Sequence, residues 1–331
     1  MTALEDLLVD LPQPDRDARA AMRARADSVL RPAGALARLD EIAVWLAGWQ
    51  RTDRPSVEHP WTLVFVADHG VASAGVSAYP AQVTKSMLVA LESGVATAPA
   101  MSRSLGSRFA AIDVGVGDPS GDIRVEPALT RDRAARCVDA GRAAVERAAD
   151  QGADLFVLGE MGIANTTAAA AVCAALFGGD SGDWVGRGTG VDDDALARKL
   201  EAIDAARSRV DGLGPLEVLG ETGGAELVAI AAAVMQARRR SIGVVLDGFV
   251  VSASVAPLHV ASPGSLDHCL AGHRSAERGH SLLLERLQLE PIVDLGLRLG
   301  EGSGALVALP IIRLAAAAVS DVATFEEWGL A

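Results

Sequence analysis

The sequence predicts an α/β fold in which helices flank a parallel sheet. Short apolar runs, most of them ending in Gly, Asp, Glu or His, recur after residue 60 and alternate with helical segments. Continuously apolar runs suit strands that are buried on both faces, and their alternation with helices is typical of βαβ units. The composition agrees with layered helices on a sheet, because alanine, glycine, valine and leucine dominate and aromatic residues make up only 4%.

The individual elements follow from their patterns. Strands are predicted in the runs TLVFVADHG, RFAAIDVGVG, ADLFVLGEMG, SIGVVLDGF and LDHCLAGHRS. Helices are predicted between them over residues 130–149, 165–177, 192–207 and 223–239. Polar residues cluster at the ends of the strand runs, where open α/β sheets bind their ligands.

Both ends of the chain predict helices without strands. Residues 15–29 and 36–50 have an amphipathic pattern, and a polar, proline-containing segment separates them from the first strand. The C-terminal segment GALVALPIIRLAAAAVSDVATFEEWGL predicts helices, the first of them kinked or broken by Pro310. We therefore expect a small helical domain from residues 1–50 and 305–331, and a large α/β catalytic domain over 51–304.

The charge balance limits the possible partners. The 331 residues are 50% hydrophobic, enough for a large core, and carry a net charge of −13. Nucleic-acid binding rests on clustered Lys and Arg, so this function is not expected. A phosphate bound by this chain would be held locally by backbone N–H groups, hydroxyls and a few cations.

The sequence also predicts a cytoplasmic protein. Its three cysteines are scattered and form no CxxC pair, as expected of a reduced compartment. The start MTALEDLLVDLPQPDRD is acidic where an export signal would be basic. The most apolar late stretches are interrupted by Gln236, Pro310 or Arg313 and are expected to be too short to span a membrane.

The segment GEMGIANTT, residues 159–167, lies between a predicted strand and an alanine-rich helix. A helix start preceded by small residues presents free backbone N–H groups, which attract a phosphate. Asn165, Thr166 and Thr167 can donate to phosphate oxygens, but simple helix capping explains them equally well. The carboxylate of Glu160 beside this turn favours a functional site.

A second glycine-rich turn precedes the helix GVDDDALARKLEAI. Gly186, Gly188 and Gly190 allow a ligand to approach the backbone closely. Lys199 lies about two turns into the helix and can reach back to a phosphate as a point charge. A lysine that faces solvent is the alternative.

Two histidine-containing segments hold residue types that can bind metals. His273 and His280 lie seven residues apart in AGHRSAERGH, a spacing untypical of metal ligands. Asp68 and His69 have no further ligands nearby and favour a structural turn. No metal is expected. Ser275, in a loop before a predicted helix, is the better candidate in its segment as a phosphate ligand.

Glu301 lies between two glycines just before a helix. A glutamate in a surface loop is usually uninformative, but flanking glycines imply a tight backbone path that fixes the direction of the carboxylate. A general base requires such placement. The chain lacks the GxGxxG, Walker A and GxSxG motifs. A nicotinamide-dependent dehydrogenase would agree with the predicted parallel sheet, but such an enzyme binds the phosphates of its cofactor with a glycine-rich motif that is absent here.

Eight segments resemble, in order, the motifs of one enzyme family. They are RPAGALARLDEIA, ADHGVASAGVSAYPAQVT, DVGV, GEMGIANTT, GRGTGVDD, LDGFVVSA, AGHRSAERGH and VDLGLRLGEGSGA. Over nearly its whole length the chain thereby resembles the nicotinate-nucleotide–dimethylbenzimidazole phosphoribosyltransferases. The resemblance implies a Rossmann-like parallel sheet flanked by helices, a small helical domain formed from both chain termini, a homodimer, and no cofactor.

The resemblance also implies an activity. The phosphoribosyl group of nicotinate mononucleotide would pass to 5,6-dimethylbenzimidazole or a related base, giving α-ribazole 5′-phosphate and nicotinate in the assembly of the cobalamin nucleotide loop. The motif positions imply that Glu301 is the catalytic base and that Glu160 and Lys199 are further active-site residues. A catalytically silent nucleotide-binding homologue is the alternative, and the retained Glu301 argues against it.

Binding residues are implied in the same way. The nucleotide and its phosphate would be held by Gly162, Asn165, Thr166, Thr167, Gly188 and Ser275. The incoming base would be bound by Tyr79, Met87, Met161 and Leu299, although core packing is the alternative for the two methionines. Three positions depart from the family pattern: Ala164 and Ala37 stand where glycine is usual, and Ala35 where serine is usual. Members differ in the base they accept, so the resemblance does not select the acceptor.

Overall fold

The fold is built on a six-stranded parallel sheet in a computed structural model that describes residues 2–186 and 190–330. The strands are β1 (Pro60–Ala67), β2 (Arg108–Gly115), β3 (Leu155–Met161), β4 (Gly243–Leu246), β5 (Cys269–His273) and β6 (Pro291–Val293). Their order across the sheet is β2-β1-β3-β4-β5-β6, and all neighbours are parallel. The strand order reverses between β1 and β3, which is where ligands of such sheets bind.

Helices connect the strands and cover the sheet. Short 3₁₀ segments occupy Asp6–Leu8 and Gly70–Ala74, and a π-helical turn occupies Leu219–Gly223. The α-helices of the described ranges are α1 (Thr2–Glu5), α2 (Arg16–Ser28), α3 (Arg38–Gln50), α4 (Val83–Glu92), α5 (Thr97–Ser104), α6 (Arg131–Ala149), α7 (Asn165–Phe177), α8 (Ser181–Trp184), α9 (Asp193–Arg209), α10 (Pro215–Val218), α11 (Ala225–Arg239), α12 (Phe249–Ala261), α13 (Arg278–Leu287) and α14 (Ser303–Ser320).

Alternate side chains of the strands enter different hydrophobic cores. Leu63 and Phe65 pack with α6, α7, α11 and α12 on one face. Val64 and Val66 pack with α3, α4, α5 and α14 on the other. Because both faces are buried, the strands need apolar residues at successive positions. The predicted α/β fold with a parallel sheet is confirmed.

Side chains cap several of the helices that the sequence predicts. The Asp15 carboxylate accepts a hydrogen bond from the backbone N–H of Ala18 at the start of α2. Asp192 does the same for Ala195 at the start of α9, over 2.8 Å. Each cap provides an acceptor for a backbone donor that has no partner within the helix. The acidic residues 192–194 therefore lie at the start of a helix, as predicted.

The C-terminal helix differs from the prediction. The sequence predicts a kink or a break at Pro310; α14 continues through this residue, so a break is wrong. Proline removes one helical hydrogen bond, but Leu309 and Ile312 on either side are fully buried in the core and hold the helix in place. Residues 321–330 form turns and a short bridge instead of the second helix that was predicted.

α14 also has the length and composition of a membrane-spanning helix, with 18 residues and a mean hydropathy of 1.8. The prediction that every late apolar stretch is too short is therefore wrong for this helix. Core helices have the same length and composition, and 61% of α14 is buried inside the protein. Its burial against β3 and β5 identifies it as a core helix.

Helices from the first fifty residues contact the C-terminal part of the chain. α2 packs on α3, and α3 packs on α14. Beyond the helices, the N–H of Leu30 donates to the carbonyl of Ala323, and that of Phe325 donates to the carbonyl of Ser28. Since α14 also contributes to the core beneath the sheet, a boundary between two domains at residues 50 and 304 stays a prediction.

Candidate active site

A cavity opens at the carboxyl ends of the central strands. Its wall includes Gly248, Phe249 and Val250 at the start of α12, and His273 at the end of β5. Eight of the residues predicted to be catalytic or to bind the nucleotide or the base line the same cavity: Glu160, Met161, Gly162, Asn165, Thr166, Lys199, Ser275 and Leu299. Residues from distant parts of the chain therefore meet here, as the positions of the strand ends predict.

Two helices begin at the cavity wall. Ala164, Asn165 and Thr166 are at the start of α7, and Gly248 is at the start of α12. Both helices have 13 residues, long enough for their aligned peptide dipoles to create a partial positive charge at the N-terminus. Together these helix starts make the cavity suitable for a phosphate.

Ala164 adopts an unusual backbone conformation at the start of α7. Its φ is 76°, in the left-handed region that glycine occupies without steric cost. Glycine is usual at this position in the family that the sequence resembles, and the observed φ gives the physical reason. Ala37, the other position at which alanine replaces the usual glycine, also has a positive φ of 37°.

Lys199 reaches from α9 to the start of α7. Its Nζ lies 3.0 Å from Thr166 Oγ1 and 3.0 Å from the carbonyl oxygen of Gly186, so it joins the two predicted phosphate turns. Burial lowers the pKa of the Lys199 ammonium, and the nearby charge of Glu277 opposes this shift. A solvent-facing lysine is excluded, since only 1% of the residue is exposed. Gly188 lies outside the described residues.

Glu160 is a buried carboxylate at the end of β3. One of its oxygens accepts a hydrogen bond from the side-chain amide of Asn165. Burial raises the pKa of Glu160 to about 8, and the negative charge of Asp247 contributes to this rise, whereas the bond from Asn165 opposes the shift. The sequence predicts that Asn165 binds the phosphate. In the structure its side-chain amide donates a hydrogen bond to the carboxylate of Glu160.

Glu301 is held in a strained turn directly beside Glu160. The φ angles of Gly300, Glu301 and Gly302 are 86°, 61° and 81°, so three successive residues are left-handed. The N–H of Glu301 donates to the carbonyl of Glu160 over 3.0 Å. Gly300 lines the cavity, and Glu301 follows it with only 3% of its surface exposed.

The Glu301 carboxylate has a defined orientation. Its Oε2 accepts a hydrogen bond of 3.2 Å from the N–H of Ala98 at the start of α5. Burial raises the pKa of Glu301, and the charge of Asp247 adds to this effect, while the bond from Ala98 opposes it. A raised pKa brings a carboxylate closer to the range in which a general base is most effective.

Asp247 fixes the turn that carries Glu301. Its two oxygens accept hydrogen bonds from the N–H groups of Gly302, Gly304 and Ala305, at 3.1, 2.8 and 3.0 Å. It thereby caps α14 from the end of β4. The sequence indicated only that Asp247 ends a strand; the residues it caps lie 55 to 58 positions away.

The sequence does not predict that His69 pairs with a buried glutamate behind the cavity. His69 Nε2 lies 2.5 Å from Glu226 Oε1, and both side chains are fully buried. A Cβ atom at Gly162 would lie 3.1 Å from that glutamate oxygen, so the pair packs directly against the predicted phosphate turn. The residues are 157 positions apart, and only the fold brings them together.

The remaining predicted residues lie in different surroundings. Thr167 is fully buried, and its Oγ1 has no hydrogen-bond partner among the described residues. Of the four predicted base-binding residues, Met161 and Leu299 line the cavity. Met87 packs against the core below the sheet, and Tyr79 is 51% exposed. Among residues 2–186 and 190–330 no group of three or more His, Cys, Asp or Glu is arranged to hold a metal ion.

Comparison with known proteins identifies the family. A family model described as phosphoribosyltransferase matches residues 11–330, almost the whole chain. The chain belongs to this phosphoribosyltransferase family. The family resemblance inferred from the eight ordered motifs is thereby confirmed.

Individual members of the family cover the same length. The chain is 46% identical over 323 residues to the nicotinate-nucleotide–dimethylbenzimidazole phosphoribosyltransferase of Cereibacter sphaeroides, covering 97% of this chain and 94% of that protein. It is 44% identical over 330 residues to the enzyme of the same name from Ruegeria pomeroyi, covering 100% of this chain and 97% of that one.

Solved structures share the fold of this phosphoribosyltransferase. The crystal structure of CobT from Thermus thermophilus matches with a TM-score of 0.91 at 40% sequence identity, covering 95% of this chain and 99% of that chain. A second crystal structure from the same organism, of a nicotinate-nucleotide–dimethylbenzimidazole phosphoribosyltransferase, matches with a TM-score of 0.90 at 39% identity, covering 96% of this chain and 99% of that chain. The agreement extends over nearly the whole chain.

Proposed function

We propose that this chain transfers the 5-phosphoribosyl group of nicotinate mononucleotide to 5,6-dimethylbenzimidazole or a related base. The products are nicotinate and α-ribazole 5′-phosphate, the nucleotide used in cobalamin assembly. One observation carries the proposal: the backbone of Glu301 is bonded to that of Glu160 at a cavity into which two helix N-termini open. Relatives of 44–46% identity that bear the name of this enzyme support it.

The phosphate of the nucleotide binds at the start of α7. Gly162, Asn165 and Thr166 line the cavity there, and the ammonium of Lys199 lies beside Thr166. Ser275 adds a hydroxyl from the cavity wall. A dianionic phosphate compensates the buried positive charge of Lys199 and accepts hydrogen bonds from the free backbone N–H groups. Gly188 and Thr167 complete the proposed set.

Glu160 stabilises positive charge on the sugar. The nicotinate ring is cationic in the mononucleotide, and C1′ becomes cationic as the bond to that ring breaks. In the free protein Glu160 has a pKa of about 8 because it is buried and has acidic neighbours. A bound cation favours the ionised form and lowers this pKa, so that substrate binding charges the carboxylate when it is needed.

Glu301 acts as the general base. The lone pair of one azole nitrogen attacks C1′, and the electron pair of the breaking bond stays on the nitrogen of nicotinate. The other azole nitrogen loses its proton to Glu301, whose carboxylate is held by the N–H of Ala98. Nicotinate leaves as a neutral pyridine nitrogen and therefore needs no acid.

The base binds beside Met161 and Leu299. Both line the cavity near Glu160 and Gly300, and their apolar side chains suit the flat face of a benzimidazole. Tyr79 and Met87 extend this surface in the proposed complex. The half-exposed Tyr79 then gains contacts only when the base is bound.

We assign the enzyme to the cytoplasm as a homodimer. The cysteines of the chain are free and buried, in keeping with a reducing compartment. Exposed apolar side chains, among them Val89, Val95 and Leu295, provide surface for a second copy. Size-exclusion chromatography with light scattering tests this assignment, and a monomer at micromolar concentration would contradict it.

Turnover is the direct test of the proposed function. Purified protein with nicotinate mononucleotide and 5,6-dimethylbenzimidazole should release nicotinate and an equal amount of α-ribazole 5′-phosphate, measured by chromatography. Binding of the nucleotide by calorimetry without release of either product would instead indicate a silent nucleotide-binding homologue.

A further inference from the structure

His280 is a buried histidine for which the proposed reaction has so far no role. It lies in the first turn of α13 and is fully buried. Its Nδ1 lies 2.9 Å from both the backbone N–H nitrogen and the Oγ of Ser275, which lines the cavity. Its Nε2 lies 3.1 Å from the Oγ of Ser252 in α12, the helix that begins at the cavity.

The protonation state of His280 follows from these contacts. Burial lowers the pKa of His280 to about 3, and the neighbouring His273 contributes to the shift, so the ring is neutral at ordinary pH. A neutral imidazole has one N–H and one acceptor nitrogen. Because the backbone N–H of Ser275 can only donate, Nδ1 is the acceptor, and Nε2 donates its hydrogen to Ser252.

Two donors of Ser275 therefore share one lone pair. The backbone N–H and the hydroxyl both lie within reach of His280 Nδ1, which can satisfy only one of them fully. An anionic phosphate oxygen is a stronger acceptor than a shared imidazole nitrogen. The hydroxyl can thus turn to a phosphate at little cost, while the backbone bond keeps the serine in place.

We propose that His280 is a positioning residue for the nucleotide: it fixes Ser275 to α12 and presets the serine hydroxyl to donate to the bound phosphate. His280 touches no substrate and acts only through Ser275. This inference rests on the proposed function, since it assumes that Ser275 binds the phosphate of nicotinate mononucleotide. It adds a second residue, Ser252, whose hydroxyl accepts the hydrogen bond from Nε2 and so holds the imidazole to α12.

Steady-state kinetics of matched variants test the inference. His280→Leu keeps the apolar volume but removes both nitrogens, and we expect the KM for nicotinate mononucleotide to rise about 10-fold with kcat changed less than about 3-fold. His280→Asn retains an acceptor near the position of Nδ1 and should restore the KM to within about 3-fold of the wild type. His268→Leu is the control, because His268 is equally buried but bonds to the carbonyl of Val234.

A double variant separates positioning from folding. Ser275→Ala should also raise the KM, and the combined variant should show less than the product of the two single effects, because both remove the same interaction. The inference would be overturned if the KM of the double variant rose by the product of the two single effects, or if His280→Leu left the KM unchanged. A wild-type protein without turnover would instead contradict the proposed function, so the two failures are distinguishable.

Discussion

Glu160 has the most unusual environment of the predicted site residues. It is an acid in the core, bonded to Asn165 and close to the further carboxylates of Asp247, Glu226 and Glu301. The sequence predicted Glu160 as a site residue because it ends a strand beside a small-residue turn. It also predicted Glu301 as a site residue, but not that Asp247 and Glu226 lie near Glu160, since these two reach the site from other elements.

The burial of Glu160 predicts a pH-dependent stability. Its pKa is about 8 in the folded protein and near 4.5 in the unfolded chain. Above pH 4.5 the unfolded state releases a proton that the folded state retains, so this group's contribution to stability falls as the pH rises to 8 and is then constant. Glu160→Gln has no ionisable group at this position. We therefore expect the free energy of unfolding of the variant, relative to that of the wild type, to increase between pH 4.5 and 8, by a few kcal/mol at most.

Urea unfolding of the wild type and Glu160→Gln at about pH 5, 6.5 and 8 measures this effect. The pKa shifts of groups far from Glu160 cancel in the difference between the two proteins. Glu201→Gln, at an exposed position on α9, is the control and should show a constant difference. A difference for Glu160→Gln that does not change with pH would show that this carboxyl group is ionised in the folded protein.

The left-handed conformation of Ala164 predicts that the protein is more stable with glycine at this position. A left-handed alanine costs about 1 kcal/mol relative to glycine, so Ala164→Gly should raise the free energy of unfolding by about that amount. Ala168→Gly in the interior of the same helix should lower it by a similar or larger amount. If urea unfolding shows both variants shifted in the same direction, the strain at residue 164 is not real.

The turn before α14 depends on close contact with β3. A Cβ atom at Gly159 would lie 2.3 Å from the nitrogen of Gly302 and 2.4 Å from the carbonyl carbon of Glu301. Neither backbone atom can yield without moving the start of α14. This contact places Glu301 next to Glu160, and it requires glycine at position 159 for steric reasons alone.

Gly159→Ala should therefore affect stability and catalysis together. We expect a loss of about 2–3 kcal/mol from overpacking, and a kcat at least about 10-fold lower because Glu301 is displaced. Gly214→Ala is the matched control: its Cβ would meet only the flexible carboxylate of Glu217, at 3.4 Å. A Gly159→Ala enzyme with wild-type kcat would contradict the dependence of the site on this contact.

The sequence predicted those helices and strands whose burial requires a recognisable pattern of apolar residues. β1 and β3 are buried on both faces, so their apolar residues are continuous and their ends are marked by polar residues. β6 has three half-buried residues and was not predicted, because so short a strand has no period. α14 continues through Pro310 because core packing outweighs the lost hydrogen bond, a balance that the local sequence does not contain.

At the scale of the whole molecule, the parallel sheet brings eight of the predicted site residues to one cavity. The turns after β3 and β5 and the segment before α14 converge at one edge of the sheet. That convergence was predictable from polar residues at strand ends. The pairs that support the site, His69 with Glu226 and His280 with Ser252, were not, because they join residues that only the folded chain makes neighbours.

The same convergence explains how a chain of net charge −13 can bind an anionic nucleotide. In the proposed complex the phosphate lies near a buried lysine and two helix starts, and the cationic part of the nucleotide lies near Glu160. Charge is thus matched locally along the proposed substrate, and salt screens the exposed charges on distant parts of the surface.

The most direct test of the account measures nicotinate release by wild type and Glu301→Gln with two acceptors. One is 5,6-dimethylbenzimidazole, and the other is its N-methylated analogue, which has no N–H proton to lose. If Glu301 is the general base, the variant should be slower by about 10²–10⁴-fold with the first acceptor and nearly equal to the wild type with the second. An equal loss with both acceptors, or no loss with either, would contradict the assignment.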